Sequence, residues 1–140
     1  GALKYSDYPR AKVLNINTSQ AEALKGVIRV LTGNDISGSR YTGLIVNDWP
    51  MFVLPGEETR YVGDALALVI ADNRDIAREA AKLIKAEYEV LPPVTIPEKA
   101  LEPEAPKIHP NGNLLSETII NRGNIEKAKK EYLCHYKCSL

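Results

Sequence analysis

Cysteine, histidine and the larger aromatic side chains are scarce in this 140-residue chain, which carries two Cys, two His, one Trp and one Phe. Cys134 and Cys138 sit close together near the end. They are too few and too clustered for the disulfide framework of a small secreted domain, so a reducing, cytoplasmic setting is expected. With His135 between them they form one soft-ligand cluster. A metal centre needs about four donors at fixed geometry, and no second Cys pair exists to complete one. A strand with incidental thiols is the plainer reading, and the Cys-before-His order is not that of a haem attachment site. Nucleophilic catalysis by Ser or Cys needs an adjacent base, and neither His109 nor His135 falls in a strongly patterned element. An excess of charge is also missing, because Lys plus Arg equals Asp plus Glu at 18 each. That balance gives no electrostatic reason to expect nucleic acid or an anionic membrane as partner. No apolar run approaches the ~20 residues that span a bilayer, and no basic-then-apolar leader is visible. Gly1 opens directly into patterned sequence and Leu140 closes in mid-pattern, so a piece of a longer polypeptide is expected.

What is present suits one domain able to bury about 68% of its unfolded surface. The clearest unit lies in residues 60–95. An apolar run over 65–71, rich in Leu, Val and Ile, is bounded by Gly63 and by Asp72 and Asn73, which predicts a buried strand. The period then changes: Ile76, Ala77, Ala80, Leu83 and Ile84 make one apolar stripe, with Arg74, Asp75, Arg78, Glu79, Lys82 and Lys85 on the wet side. This predicts an amphipathic helix over 74–85 lying on a sheet, capped by Asp72 or Asn73. Ala86, Tyr88 and Val90 alternate with Glu87 and Glu89 in a half-exposed strand stopped by Pro92 and Pro93.

Upstream, residues 2–5 and 12–16 read as strands forming a hairpin-like opening. Ser19 and Glu22 match a capping box for a short helix that stops at Gly26, and 27–31 reads as a further strand. Residues 32–50 hold three glycines and one proline with little periodicity, longer than structureless loops ordinarily run, which suggests docking on something. A brief strand is expected at 51–54. Most of the nine prolines crowd into 92–110, predicting an extended arm with one helical turn near Pro97. Asn124 caps a last predicted helix with Ile125, Ala128 and Tyr132 on one side.

Reactive constellations are thin. Glu57 with Glu58, Glu87 with Glu89, and Glu102 with Glu104 are paired carboxylates, yet an acid–base pair needs one desolvated member and all three read as solvated surface. The glycines at 38 and 43 precede no helix and so make no phosphate cradle. Gly63 reads as a bulge or a close backbone approach. Tyr41 and Trp49 either form an exposed aromatic patch for a partner or roof the core of a chain poor in Phe.

Four segments together resemble a known family. Residues 1–16 (GALKYSDYPRAKVLNI), 18–36 (TSQAEALKGVIRVLTGNDI), the Asp48 and Pro50 positions, and 60–94 (RYVGDALALVIADNRDIAREAAKLIKAEYEVLPPV) agree in order, spacing and type with the N-terminal α/β-hammerhead domain of the molybdenum-binding subunit of the xanthine dehydrogenase and aldehyde oxidase family. The likeness covers about four-fifths of the chain. It departs at Asp7, Arg10, Ala65 and Asn124. The resemblance implies an α+β fold, an α/β-hammerhead with a mixed sheet, helices on one face and an extended C-terminal arm. It divides the chain into a core at 1–95 and, at 96–140, an arm that starts a connection to a downstream domain.

By the same resemblance, the parent enzyme hydroxylates purines, related heterocycles or aldehydes with oxygen derived from water. It would use molybdopterin-bound molybdenum, [2Fe-2S] centres and FAD or NAD. The family's catalytic, cofactor-binding and metal-binding residues lie downstream, and none maps onto this sequence. Implied partners are the molybdopterin-binding domains of the same chain and iron–sulfur and flavin subunits or domains, without nucleic acid or membrane. Tyr41, Asp48, Trp49 and Pro50 are the candidate inter-domain contacts. The competing class is a stand-alone protein-interaction module.

Overall fold

The computed structural model describes residues 1–131. The Cys134, His135 and Cys138 cluster, and Tyr132 of the last predicted helix, lie outside the described residues. The chain runs β1 (Ala2–Tyr5), β2 (Ala11–Asn17), α1 (Ser19–Glu22), β3 (Val27–Leu31), a 3-10 turn at Gly33–Asp35, β4 (Tyr41–Thr42), β5 (Trp49–Pro50), β6 (Ala65–Ala71), α2 (Arg74–Leu83), β7 (Lys85–Val90), α3 (Pro97–Ala100) and α4 (Ile125–Glu131). The architecture is α+β.

Strand β6 organises it. It lies between β1 and β3, antiparallel to both, while β2 pairs with β7 and β4 with β5 in separate two-stranded ladders. Two expectations need correction here. The opening strands do not form a hairpin with each other, and the strands of the described residues make three antiparallel sheets rather than one mixed sheet. The physical reason is β6: its seven residues offer both edges, so β1 and β3 bond to it instead of to their sequence neighbours.

Alternation along β6 serves two interiors at once. Ala67 and Val69 face the helices, where Ala21, Val30, Ala77, Ala80, Ala81 and Ile84 complete one buried cluster. Leu66 faces the other way and meets Val13 and Val53 in a second cluster, walled by Ala86 and Tyr88 of β7. The predicted stripe of α2 is therefore the buried one, with alanines at the contact allowing helix and sheet to approach closely. Both α1 and α2 pack on the same side of the three-stranded sheet.

Helix ends follow local chemistry. Asn73 is the cap of α2, its Oδ1 accepting from the N–H groups of Asp75 at 3.0 Å and Ile76 at 2.9 Å. The helix ends at Leu83, two residues before the expected Lys85, because Ile84 is already extended and buried. The expected capping box at Ser19 is absent: Thr18 is the cap residue, its hydroxyl donating to Glu22 Oε1 at 2.7 Å, and α1 is a single turn. Gly26, at φ +91°, then reverses the chain into β3.

No strand forms at 51–54. Those backbone groups are used for stitching instead: Met51 N–H donates to Arg40 O, Val53 N–H to Ala65 O, and Leu54 N–H to the Glu57 carboxylate. Residues 56–59 then run beside β2, with Val13 N–H bonded to Glu57 O and Thr59 N–H to Ala11 O. The buried Thr59 hydroxyl adds a bond from Ala11 N–H at 3.0 Å. The segment 51–59 is thus bonded to β2 and to the start of β6, and it contributes Val53 to the second cluster.

Asp64, just before β6, is buried, and its Oδ2 accepts from Arg60 N–H at 2.6 Å and Tyr61 N–H at 3.3 Å. Its Oδ1 has no partner. Burial pushes the carboxyl above its ordinary range. Gly63 is the close approach expected, since a Cβ there would overlap the Tyr61 ring.

Candidate functional site

The long loop is an ordered structure. Strands β4 and β5 pair Tyr41 with Pro50 and Thr42 with Trp49, so residues 41–50 make a hairpin standing away from the main sheets. All four candidate contact residues lie on it. Pro50 is buried, Asp48 and Trp49 are half-buried, and Tyr41 is exposed.

Two side-chain clamps hold the hairpin's base. Arg40 donates from Nη2 to Glu57 Oε1 at 2.5 Å and from Nη1 to Glu57 Oε2 at 2.8 Å and Phe52 O at 3.0 Å. Its guanidinium also lies 4.9 Å from the Tyr41 ring centre. Glu57 is thus a bonded, half-buried group, contrary to the expectation of solvated surface, because the turn at Pro55 and Gly56 brings it under Arg40. Burial raises its carboxyl, but the Arg40 fork and the Leu54 N–H outweigh that and hold it below its ordinary value of 4.5. A folded value lowered in this way adds stability that is complete above pH 4.5 and lost as pH falls through the lower folded value. Arg40→Ala is expected to cost about 1–2 kcal/mol at neutral pH and to flatten stability loss on acidification. Urea unfolding at neutral pH and well below pH 4.5 measures both; equal losses at the two pH values would contradict the assignment.

The second clamp joins the arm to the hairpin. His109 Nδ1 lies 2.7 Å from Asp48 Oδ2, and Arg60 donates from Nη1 to Asp48 O at 2.7 Å. Arg60 also sits over the Trp49 ring, which packs edge-on against Tyr61 with centres 5.3 Å apart. Asn113 holds the arm's own turn, accepting from Ile108 N–H and donating to Ala100 O and Pro106 O. A cleft of about 380 Å³ remains between hairpin and arm, bordered by Tyr41, Glu58, Arg60, Lys107 and His109. Asp48 and Trp49 therefore work within the chain, and Tyr41 is the most open of the four.

The hairpin tip is a feature that residue type and spacing did not single out. Leu44 and Ile45 are fully or almost fully exposed and Val46 is 45% exposed. The signal was there: three consecutive apolar residues following Gly43 in a segment that should be polar. The structure also fixes His109, which sequence spacing alone could not connect to a residue 61 positions away.

Among the described residues no group of three or more His, Cys, Asp or Glu side chains converges as a metal site would require. The Asp48–His109 pair offers two donors, and Asp48 is already committed to Arg60. These residues do not fit a molybdenum centre. No helix among them is long and apolar enough to cross a membrane.

Similarity to known proteins agrees with this geometry. Residues 1–92 match the family model described as aldehyde oxidase and xanthine dehydrogenase, a/b hammerhead domain. The aldehyde oxidoreductase of Desulfovibrio gigas superposes with a TM-score of 0.72 at 34% identity, over 78% of this chain and 13% of that one. The fold is thus an α/β hammerhead. A probable xanthine dehydrogenase subunit from Bacillus subtilis is 39% identical over 91% of this chain and 17% of its own length. The nicotinate dehydrogenase large molybdopterin subunit of Eubacterium barkeri is 34% identical over 90% of this chain and 29% of its own. The chain belongs to the aldehyde oxidase and xanthine dehydrogenase family, as its hammerhead domain. It spans less than a third of the length of these relatives.

Proposed function

We propose that this chain is the structural hammerhead domain of a larger molybdenum hydroxylase of the xanthine dehydrogenase type, which oxidatively hydroxylates purines, related heterocycles or aldehydes. The observation that carries the reading is coverage: 91% of this chain aligns at 39% identity with a probable xanthine dehydrogenase subunit, and the match takes up only 17% of that protein. In this reading residues 1–95 are the body of the domain, and 96–140 are the proline-rich arm that starts the connection to a downstream domain. The hairpin carrying Tyr41, Asp48, Trp49 and Pro50, with the arm clasped to it, packs against the domains that bear molybdopterin. Electrons then leave through [2Fe-2S] centres to FAD or NAD on other domains or subunits, in the cytoplasm. In this role the chain supplies shape and rigidity, and the redox chemistry belongs to the molybdenum group held elsewhere.

The test has two arms. The complete reading frame is expected to continue beyond Leu140 into the molybdopterin-binding segments, and its purified product to oxidise xanthine, another heterocycle or an aldehyde with a dye acceptor. The 140-residue chain alone is expected to show no turnover and no bound pterin fluorescence. A frame that stops at Leu140, or turnover by the short chain, overturns the proposal.

A further inference from the structure

Leu44, Ile45 and Val46 are 104%, 86% and 45% exposed, three aliphatic side chains in succession at the end of a projecting hairpin. Single exposed apolar residues are ordinary, whereas a contiguous run presented to water marks a contact surface. The tip is also shaped. A Cβ on Gly43 would overlap the Val46 carbonyl, so only glycine permits this tight return. Below it, the Arg40–Glu57 and Asp48–His109 clamps fix the base. A pre-shaped contact loses little freedom on association. No charged residue occurs between Arg40 and Asp48, and both of those are paired at the base. The complement must therefore be an apolar recess.

We infer that Leu44, Ile45 and Val46 form a plug that seats in an apolar pocket of the remainder of the large subunit. This rests on the reading of the chain as one domain of a longer molybdenum hydroxylase, and it moves the principal contact from the hairpin's base to its tip. The relatives argue for this occupant: in the Bacillus subtilis protein the matching segment makes up only 17% of the chain, leaving a large body of its own polypeptide to cover the tip. The arm clasped at the hairpin base continues through Leu114, Leu115, Ile119 and Ile120, all exposed, so a second apolar segment leaves from the same clamp.

Backbone hydrogen exchange of residues 43–47 tests it, comparing the product of the complete reading frame with the 140-residue chain. The tip is expected to exchange at least about 100-fold more slowly in the long product. Ile45→Asp should undo about 10- to 100-fold of that protection, as loss of one buried aliphatic side chain implies. Gly43→Ala should act likewise without altering apolarity. Ile45→Asp in the short chain should melt with the parent, since Ile45 touches little there. A frame that ends at Leu140 or leads into unrelated sequence overturns the proposed function and this inference together. A frame that continues as expected, with the tip exchanging equally fast in both products, overturns the inference alone. Light scattering that shows a dimer of the short chain abolished by Ile45→Asp would assign the tip to a second copy, and co-sedimentation with phosphatidylcholine vesicles to a lipid surface; either result overturns it.

Discussion

Replacing Leu66 with alanine is expected to lower the free energy of unfolding by about 2–5 kcal/mol, the range for removing a large buried aliphatic side chain. Leu66 is fully buried and belongs to a cluster whose other completely buried members, among the described residues, are Val13 and Val53. So small an interior cannot close over the lost methyl groups: Val13 is pinned in the ladder of β2 with β7, and Val53 by its N–H bond to Ala65 O. The upper half of the range is therefore expected, read as a shift in urea midpoint at unchanged slope. A loss below about 1 kcal/mol would mean that the second interior is not closed.

Asp64 gives the other large effect. Asp64→Ala removes the acceptor for the N–H groups of Arg60 and Tyr61 at a buried turn, and each orphaned donor costs about 1–3 kcal/mol. A total of about 2–4 kcal/mol is expected, allowing for water reaching the vacated space. Asp64→Asn keeps an acceptor oxygen and should lose less than half of that. The pH dependence follows from burial. The folded carboxyl lies above its ordinary value of 3.8, so its favourable contribution is complete below pH 3.8 and lost as pH rises through the folded value. The parent should therefore gain on the Asn variant as the solution is acidified through that window. A stability difference that stays constant with pH would show that the carboxyl is not desolvated. The effects of Arg40→Ala and Asp64→Asn on acid stability thus have opposite signs, which lets one set of titrations distinguish a half-exposed ion pair from a buried lone acid.

Much of this molecule could be read without coordinates. The strand at 65–71, a helix cap at Asp72 or Asn73, the buried stripe of α2 and the strand at 85–90 follow from period and punctuation, because each is decided by neighbours within one turn or one strand; the structure selects Asn73 as the cap. Pairing partners were harder. Nothing local tells β1 to prefer β6 over β2; the choice rests on β6, distant in sequence, whose two edges take β1 and β3. The missing strand at 51–54 has a similar origin, its donors being claimed by Arg40 O, Ala65 O and the Glu57 carboxylate from three directions. At the hairpin, residue types drew attention to Tyr41, Asp48, Trp49 and Pro50, and the structure groups them. The direction each side chain takes was not legible, because the clamp on Asp48 comes from His109 in a segment that shows only its prolines. The aliphatic tip is present only as three apolar letters, and the lack of period around them predicts a loop, where side chains are ordinarily polar.

Strand β6 has one further consequence, for evolution rather than for folding. Its small side chains, Ala67 and Val69, lie where a helix must come close, and its bulky Leu66 lies where a gap between two ladders must be filled. Gaining or losing a single codon within these seven positions would exchange the two sets, pressing bulk against α2 and leaving a hollow beside Val13. A change of length inside β6 is therefore expected to disrupt both interiors at once, a penalty that no change in a one-sided strand would carry.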